Sequence, residues 1–338
     1  MFKPSSSTSS FTKTVVLTGA SSGIGHATAI AFAKTGANLV LAARGLPALQ
    51  TLAKECEALG AQTLVISADV TEAQAMRTLA HAAITRFDGI DVWINNVGVG
   101  AVGAFDITPI DAHRRVIEAN LIGHMNGAHA VLPHFRARGR GVLINMISVA
   151  GWAPAPYAAS YAASKFGLRG FSASLRAEVA NLPRVHVCDV FPTFVDTPGM
   201  QHGANYTGKT LRPPPPLVDP RRVADAVVAL SQSPRAATSV GSIAWPARIL
   251  QALAPGLTGR ITAKLIGIAL NRAKPVVVTD GNLFTPSRDY AIDGGYRLPT
   301  EKRAVITVAA VVGLLGLCLL SSHSGRRAHL LKRRALRQ

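Results

Sequence analysis

Short apolar runs alternate with longer amphipathic stretches along most of the sequence. The runs place Val, Ile and Leu on consecutive positions, as in strands buried on both faces, and the stretches repeat apolar residues every three or four positions, as in helices. This alternation predicts an α/β fold with a doubly wound parallel sheet. The predicted strands are Thr14–Thr18, Asn38–Ala42, Thr63–Ser67, Asp91–Ile94, Val142–Ile147 and Val185–Phe191. The predicted helices are Gly23–Thr35, Leu46–Leu59, Glu72–Phe87, Pro109–Arg136 and Tyr157–Leu182.

Residues 192–218 interrupt this alternation. No helix or strand is evident in them, and a loop of this length is typically functional or mobile, so we expect it to cover a substrate. Asp219 is a suitable N-cap for a following helix, and a seventh strand is predicted at Thr238–Trp245. The Ser- and Thr-rich residues 1–12 predict a disordered tail. One folded domain is therefore expected at residues 13–247.

The C-terminal quarter of the sequence has a different pattern. Residues 248–303 start with apolar and basic positions at helical spacing and predict a basic amphipathic extension. Residues 304–322 are a hydrophobic segment, and the uncharged part, Ala304–Leu320, would extend about 25 Å as a helix, against the ~30 Å of a bilayer core. Residues 323–338 form a basic tail. We expect membrane association, and the sequence leaves open whether 304–322 spans the bilayer or lies along its surface.

Composition narrows the class of protein further. The net charge is +18, concentrated in residues 201–338, and suits anionic membrane lipids. A nucleic-acid partner is not expected, because no known binding module accompanies the charge and aromatic residues make up only 6%. Cys56, Cys188 and Cys318 are too far apart in the sequence to predict a disulfide framework or a metal site. Since no secretory signal is visible, we expect a membrane-associated protein with its folded domain in the cytoplasm.

A glycine-rich turn follows the first predicted strand and leads into the first predicted helix. Glycines let the backbone approach a phosphate closely, and the free N–H groups at a helix start attract an anion. Between a buried strand and a helix, such a turn predicts a dinucleotide site more strongly than a ligand-free tight turn. The candidate cofactor-binding residues of the turn are Gly19, Ser21, Ser22, Gly23, Ile24 and Gly25.

The end of the second predicted strand indicates which dinucleotide binds. A site for NAD usually places Asp or Glu there, where the carboxylate binds the ribose 2′-hydroxyl. Here the residues are Ala42, Ala43 and Arg44, so a cation stands where the 2′-phosphate of NADP would lie. Arg44 therefore favours NADP(H) over NAD(H), with a solvated surface arginine as the simpler alternative.

Three polar residues make a candidate catalytic group. Tyr161 and Lys165 are four apart on a predicted helix and share one face, so the ammonium would favour the phenolate and lower the pKa of the tyrosine from about 10. Ser148, at the end of the fifth predicted strand, would hold a substrate carbonyl oxygen while Tyr161 transfers the proton. Tyr157 is not a rival, because the residue four positions after it is Tyr161 and not a cation.

These motifs, taken together and in this order, resemble those of the short-chain dehydrogenase/reductase superfamily over about residues 13–245. The resemblance implies a Rossmann fold, oxidoreductase activity on a carbonyl or secondary alcohol, and a homodimer or homotetramer built on the long helices. It is carried by Thr18–Gly25, Asp69-Val70, Asn95-Asn96-Val97-Gly98, Asn120, Ser148, Tyr161–Lys165 and Pro192-Thr193.

The resemblance also implies roles for single residues. Tyr161 would be the general acid–base, and Lys165 would lower its pKa and bind the nicotinamide ribose. Ser148 would orient the carbonyl, and Asn120 would anchor a water of a proton relay. Further cofactor contacts would come from Asp69 and Val70 at the adenine, Asn95, Asn96 and Gly98 on the adenosine side, and Pro192, Thr193 and Thr197 beside the nicotinamide.

Two positions depart from the family pattern. Val97 replaces the usual Ala and adds two methyl groups near the cofactor, and Thr193 replaces the usual Gly after a strand. Neither change removes a reacting group, so we expect activity to be retained.

The leading hypothesis is an NADP(H)-dependent oxidoreductase that moves a hydride between the nicotinamide and a small-molecule carbonyl or secondary alcohol. Phe194, Met200 and Tyr206 in the predicted loop favour an apolar or lipid-like substrate. The alternative is a non-catalytic nucleotide-binding membrane scaffold. The complete set of Ser148, Tyr161 and Lys165 favours the enzyme, because a binding module needs no tuned phenol.

Overall fold

A twisted parallel sheet forms the centre of the protein, as the sequence predicts. The computed structural model describes residues 12–242, 244–287 and 290–297, without the side chains of residues 244–247. Within these residues the sheet strands are β1 (Thr14–Thr18), β2 (Asn38–Ala43), β3 (Thr63–Ser67), β4 (Val92–Asn95), β6 (Gly141–Met146), β7 (Val185–Pro192) and β9 (Ala237–Val240). Their order is β3-β2-β1-β4-β6-β7-β9, and all neighbouring pairs are parallel. The order reverses between β1 and β4, and such a switch point opens a ligand crevice at the carboxyl ends of the strands.

Helices cover both faces of the sheet. Adjacent residues of a strand point to opposite faces, so Val15 and Val16 of β1 enter two different buried apolar clusters. Phe32 belongs to the first cluster and Phe135 to the second, each almost completely buried. The helices are α1 (Gly23–Ala33), α2 (Leu46–Ala58), α3 (Ala73–Phe87), α4 (Ile110–Ile117), α5 (Gly123–Arg138), α6 (Ala159–Glu178), α7 (Gly199–His202), α8 (Pro220–Gln232), α9 (Ala244–Leu253) and α10 (Pro255–Arg272).

The helix predicted over Pro109–Arg136 is interrupted in the structure. A π-helical turn, Glu118–Ile122, joins α4 to α5. Gly123 follows it at a place without room for a side chain, because a Cβ there would lie 2.5 Å from Cγ2 of Val70. The wider turn changes the direction in which its residues point, and sequence periodicity does not register one inserted residue.

The region from residue 192 to residue 245 also differs from the prediction. Residues 192–218 are not without structure, since they contain α7 and a short strand β8 (Ala204–Asn205), which pairs with β5 (Ala101–Val102). The seventh strand ends at Val240 and does not reach Trp245. Gly241 ends it with a φ of 123°, a conformation that residues with side chains rarely adopt.

The residues after β9 form two helices and a return segment. The helical spacing at the start of the predicted extension, 248–303, does not give one continuous helix. The chain breaks at Ala254, because the following Pro255 disfavours a helical conformation at the residue before it. Residues 274–287 and 290–296, which we call the strap, then run back over the domain, where Pro275 pairs with Lys209 and Thr279 pairs with Asn205 of β8. The chain through Tyr296 forms one compact unit, and the predicted bounds of the extension, 248–303, stay a prediction.

The predicted membrane segment lies outside the described residues. Among the described helices, none combines the length and the apolar character needed to cross a bilayer. Residues 304–322 and the basic tail at 323–338 are not among them, and neither are residues 1–11 of the predicted N-terminal tail.

Candidate active site

A glycine turn connects β1 to α1 at the carboxyl edge of the sheet. Gly19 and Gly23 have φ values of 65° and 55°, in the left-handed region that glycine adopts without strain. A Cβ on Gly25 would lie 2.0 Å from the carbonyl oxygen of Gly19, so no side chain fits there. Asn96 Nδ2 donates a hydrogen bond of 2.9 Å to the same oxygen. The phosphate loop predicted from the sequence is thus a tight turn held in one conformation.

The start of α1 offers donors that fit a dinucleotide diphosphate. Ser22 is the N-cap residue, and its side chain makes no capping hydrogen bond to the first turn. Ser21 precedes it on the half-buried turn, and Ile24 packs against the core and anchors the helix. The first turn of α1 contains no acidic residue. Its N–H groups and the positive end of the helix dipole therefore suit an anion.

Charged residues meet on the far side of β1, after β2 and β3. Asp69 accepts hydrogen bonds from the backbone N and Oγ1 of Thr71, at 3.0 and 2.9 Å, and from Nη2 of Arg115, at 2.5 Å. Burial acts to raise the pKa of Asp69, but these hydrogen bonds outweigh it and hold the pKa below its ordinary value. Arg44 lies close enough to both charges that burial, Asp69 and Arg115 all affect its pKa, with a net lowering by burial.

The predicted adenosine-side residues divide into two groups. Asn95 was expected to line the cofactor but lies inside the sheet, where it accepts from Trp93 Nε1 at 2.8 Å and donates to Oδ1 of Asn145 at 3.0 Å. It therefore supports the site without facing it. Val70 is buried against α5, and Gly98 faces the catalytic group, since a Cβ on it would lie 3.9 Å from Nζ of Lys165.

Ser148, Tyr161 and Lys165 come together at the carboxyl edge of the sheet. Ser148 lies two residues after the end of β6, and its hydroxyl donates a hydrogen bond to that of Tyr161 on α6. Lys165 is one helical turn further along α6, with Nζ 5.8 Å from the centre of the Tyr161 ring. Its ammonium donates to the carbonyl oxygen of Met146, at 2.9 Å. The spacing in the sequence thus predicted a cluster that the fold forms.

The electrostatics of this cluster differ from the expectation. Burial raises the pKa of Tyr161, and the hydrogen bond from Ser148 offsets this only in part. Burial also lowers the pKa of Lys165 to about 7, because the low-dielectric interior disfavours its charged form. A lysine that is only partly charged near neutral pH stabilises a phenolate weakly. The predicted lowering of the Tyr161 pKa by Lys165 is therefore wrong for the protein without its cofactor.

Asn120 lies in the π-helical turn and is fully buried. Its Oδ1 accepts from the backbone N of Val99 at 2.8 Å, and its Nδ2 donates to the Val99 carbonyl oxygen at 2.9 Å and to Ser164 Oγ at 3.2 Å. Both functional atoms of the side chain are thus engaged by the protein. The Asn120 side chain thus joins the turn to the loop after β4 and to α6, and its role in anchoring a relay water stays a prediction.

The predicted nicotinamide-side residues follow β7. Pro192 ends that strand, and Thr193 is buried with an Oγ1 that has no hydrogen-bond partner among the described residues. Thr197 lies against the phosphate loop, because a Cβ added to Gly23 would be 3.1 Å from its Cβ. The segment thus lies beside the phosphate loop, and its contact with the nicotinamide stays a prediction.

Comparison with known proteins agrees with this geometry. The profile of the short chain dehydrogenase family matches residues 13–206, more than half of the chain. The chain belongs to this family. The uncharacterised oxidoreductase YxnA of Bacillus subtilis is 31% identical over 315 residues, 89% of this chain and 88% of that protein. A D-beta-hydroxybutyrate dehydrogenase of Rhizobium meliloti is 34% identical over 55% of this chain and 73% of its own length.

Solved structures give the same result. An alcohol dehydrogenase of the archaeon Thermococcus sibiricus, solved with 5-hydroxy-NADP, superposes with a TM-score of 0.61 at 26% identity, covering 69% of this chain and 97% of that one. A metagenomic short-chain oxidoreductase in complex with NADP gives a TM-score of 0.58 at 30% identity, covering 68% and 96%. This short-chain dehydrogenase is therefore an oxidoreductase that acts on CH–OH or carbonyl groups with NAD(P).

Several residues of the site were not found from the sequence. Arg115 of the short-chain dehydrogenase binds Asp69, and His26 in the first turn of α1 contacts Glu55 of α2 and the strap at Tyr290. Their partners are distant along the chain, so no spacing rule points to them. The strap itself crosses the site, and nothing in its local pattern indicates this.

Proposed function

We propose that this protein is an NADP(H)-dependent oxidoreductase that interconverts a carbonyl compound and a secondary alcohol. The observation that carries the proposal is the hydrogen-bonded pair of Ser148 and Tyr161, with Lys165 one turn away, at the edge of the sheet where the phosphate loop begins. The bound cofactor would supply or accept the hydride. The chain supplies the proton and the orientation of the substrate.

Ser148, Tyr161 and Lys165 would have separate roles in the reaction. In the reducing direction the Ser148 hydroxyl donates to the substrate carbonyl oxygen and orients it, and the Tyr161 hydroxyl gives that oxygen its proton. Because burial keeps the phenol protonated, Tyr161 is ready to act as the acid. Lys165, fixed by the Met146 carbonyl and facing Gly98, would bind the nicotinamide ribose and stabilise the phenolate that remains.

The preference for NADP(H) rests on the charges after β2. Arg44 directly follows β2, where a site for NAD would have a carboxylate, and Arg115 adds a second guanidinium beside it. The nearest carboxylate, Asp69, is already paired with Arg115. Two cations with a neutralised acid favour the extra phosphate of NADP, and two structural relatives were solved with NADP or a derivative of it.

Comparing cofactors and substrates tests the proposal. We expect NADPH oxidation with a panel of lipophilic ketones and aldehydes, with kcat/KM for NADPH above that for NADH. Arg44→Asp should lower this ratio by at least tenfold, about 1.4 kcal/mol. Cofactor binding without turnover on the whole panel would favour the scaffold alternative, and an unchanged ratio would place the 2′-phosphate elsewhere.

An apolar or lipid-like substrate is supported by the surface beside the catalytic group. Phe105, Ile107 and Ile110, between β5 and α4, are 62%, 70% and 65% exposed. Gly103 at the start of this segment donates to the carbonyl oxygen of Tyr157, two residues before α6. Exposed apolar side chains in one patch are typical of a surface that meets an apolar ligand or partner.

Membrane association is supported by the pair α9 and α10. Leu253 and Leu265 are 80% and 62% exposed, and Ile249 is 52% exposed. Arg260 and Lys264 lie on α10 among them. A helix pair that presents apolar and basic side chains to solvent suits an anionic membrane surface. With the hydrophobic segment 304–322, it would hold the catalytic domain at a membrane on the cytoplasmic side.

A homodimer or homotetramer is the proposed assembly. Ile122, the last residue of the π-helical turn, and Met125 on α5 are 40% and 38% exposed, and Phe166 on α6 is 37% exposed. These are large apolar residues on the long helices that the family resemblance assigns to subunit contacts. Burying them against a second copy would remove them from water.

A further inference from the structure

The strap lies on the residues that would bind the adenosine half of the cofactor. Arg44 Nη1 donates to the carbonyl oxygen of Leu283 at 3.0 Å, and Nη2 donates to those of Asn282 and Thr285 at 2.5 and 3.2 Å. Arg115 Nε donates to the same Leu283 oxygen at 3.1 Å. Two guanidinium groups thus converge on one neutral oxygen. A phosphate would be a stronger partner at this position, because hydrogen bonds between charged groups are about twice as strong.

The Leu283 side chain fills an apolar seat in the crevice. It is fully buried in a cluster with Val99 and Val116, and Val97 and Tyr161 pack against the same cluster. Val97 also touches the phosphate loop, because a Cβ on Gly19 would lie 3.0 Å from its backbone. A flat apolar group such as a purine would be accommodated by the same kind of surface.

The strap also reaches the phosphate loop. The backbone N of Gly23 donates to the carbonyl oxygen of Ala291 at 3.0 Å. In the same first turn of α1, Nδ1 of His26 donates to the Tyr290 carbonyl oxygen, also at 3.0 Å. A carbonyl oxygen therefore takes a helix-start donor that a diphosphate would use.

The strap is anchored on both sides of these contacts. Before them, Tyr206 donates to Asp280 at 2.6 Å, and after them the backbone N of Tyr296 donates to Asp196 at 2.8 Å. Between these anchors the strap contacts the cofactor-binding residues through its own carbonyl oxygens and through the buried Leu283 side chain. Next to the second anchor, Asp293 pairs with Arg221 at 2.8 Å. The part between the anchors could therefore leave the crevice as a loop while its ends remain in place.

From these contacts we infer that the strap is an intramolecular competitor of the cofactor. Residues 282–287 and 290–291 occupy the 2′-phosphate, adenine and diphosphate positions, held by Arg44, Arg115 and Gly23, and the cofactor binds only after displacing them. The inference rests on the proposed NADP(H) site. It adds that the affinity of this site is set by how tightly the chain's own strap docks.

A truncation of the seat residue tests the competition. Leu283→Ala should lower the Kd for NADPH at least tenfold, because truncating a buried Leu usually weakens docking by more than the 1.4 kcal/mol that equals tenfold. Val277→Ala is the matched control, because Val277 is 87% exposed on the same strap, and its Kd should equal that of the wild type. Kd is measured by fluorescence or calorimetry without substrate. An unchanged or higher Kd for Leu283→Ala would show that the strap does not compete with NADPH. If Val277→Ala lowered the Kd equally, the loss of the Leu283 side chain from its apolar site could not be the cause.

A reversible lock gives a second, independent test. A Cβ on Gly45 would lie 3.5 Å from Cβ of Pro286, within the range that a disulfide requires. In a Cys318→Ser background, we expect the oxidised Gly45→Cys/Pro286→Cys variant to bind NADPH at least tenfold more weakly than its reduced form, with the single variants insensitive to redox state. Mass spectrometry establishes the cross-link. Equal affinity in both forms would overturn the competition, whereas failure of the reduced and wild-type proteins to bind any dinucleotide would overturn the proposed function instead.

Discussion

Burial decides the protonation of the two central residues of the site. Tyr161 and Lys165 are both enclosed, and enclosure disfavours the phenolate and the ammonium alike. Burial thus favours the neutral forms of both residues, and a protonated Tyr161 is the form that can give its proton to a carbonyl oxygen. The charge on Lys165 near pH 7 becomes sensitive to whatever anion or dipole enters the crevice.

Removing the phenol hydroxyl should stop the reaction and leave binding intact. Tyr161→Phe should lower kcat by about 10²–10⁴-fold, the usual contribution of a general acid–base, with the Kd for NADPH almost unchanged. Tyr157→Phe is the control, because Tyr157 lies outside the catalytic cluster and should keep its activity. Steady-state kinetics and a binding titration measure both. Wild-type turnover in Tyr161→Phe would refute the assigned acid.

The lowered pKa of Lys165 predicts how stability depends on pH. The unfolded chain takes up the proton near pH 10.5, whereas the folded protein takes it up only at about 7. Burial therefore costs stability below pH 10.5, and this cost grows until about pH 7 and is constant below it. We therefore compare the free energy of unfolding of Lys165→Met with that of the wild type at two pH values. The difference should favour the variant more at pH 6.5 than at pH 10, by on the order of a few kcal/mol. Denaturant titrations at several pH values measure it, and a pH-independent difference would contradict the shift.

At the scale of elements, the contact between β1 and α1 depends on glycine. The turn allows no Cβ at Gly25, whereas Gly170 on α6 is exposed and has nothing within 4 Å of the position that a Cβ would take. Both glycines lie in helices, so the same substitution separates a steric effect from a general helix effect.

Alanine at these two glycines should have opposite effects. Gly25→Ala should remove detectable NADPH binding and lower stability, because the new methyl group collides with the Gly19 carbonyl oxygen. Gly170→Ala should raise stability by about 0.5–1 kcal/mol and leave the Kd unchanged, since alanine is the better helix former. Calorimetry and denaturant unfolding report both. If Gly25→Ala bound NADPH normally, the phosphate loop would have been assigned to the wrong turn.

The elements also show where reasoning from the sequence fails. The first six strands of the sheet and the helices up to Phe87 were predicted within a few residues, because consecutive apolar residues and helical periodicity are local signals. The π-helical turn at Glu118–Ile122 was missed because one inserted residue leaves no clear mark on the helical periodicity, and Asn120 in it binds Val99, a residue outside the helix. The break before Pro255 was readable, but the apolar periodicity on both sides of it obscured the signal.

At the scale of the whole molecule, exposed apolar residues lie on two sets of helices. One set is α5 and α6, with Met125, and the other is α9 and α10, with Leu253. We assign the first to contacts between subunits and the second to the membrane. The two assignments can be separated, because each depends on different side chains.

A pair of charge substitutions should separate the two surfaces. Met125→Glu should shift the protein toward monomer in analytical ultracentrifugation and leave vesicle binding unchanged. Leu253→Glu should reduce co-sedimentation with vesicles that contain anionic lipid and leave the assembly unchanged. Binding of the wild type should weaken as salt is raised, because basic side chains contribute to it. If either variant altered both properties, or neither, the assignment of surfaces would be wrong.

The sequence by itself determined the doubly wound fold, the phosphate loop and the group of Ser148, Tyr161 and Lys165. These features depend on short-range periodicity, on glycine conformations and on residues one helical turn apart, all of which are local properties of the chain. Only the tertiary structure decided that burial raises the pKa of Tyr161, that Arg115 joins Arg44, and that the strap lies across the crevice. Burial and contacts between residues more than a hundred positions apart exist only once the chain has folded, so no local pattern records them.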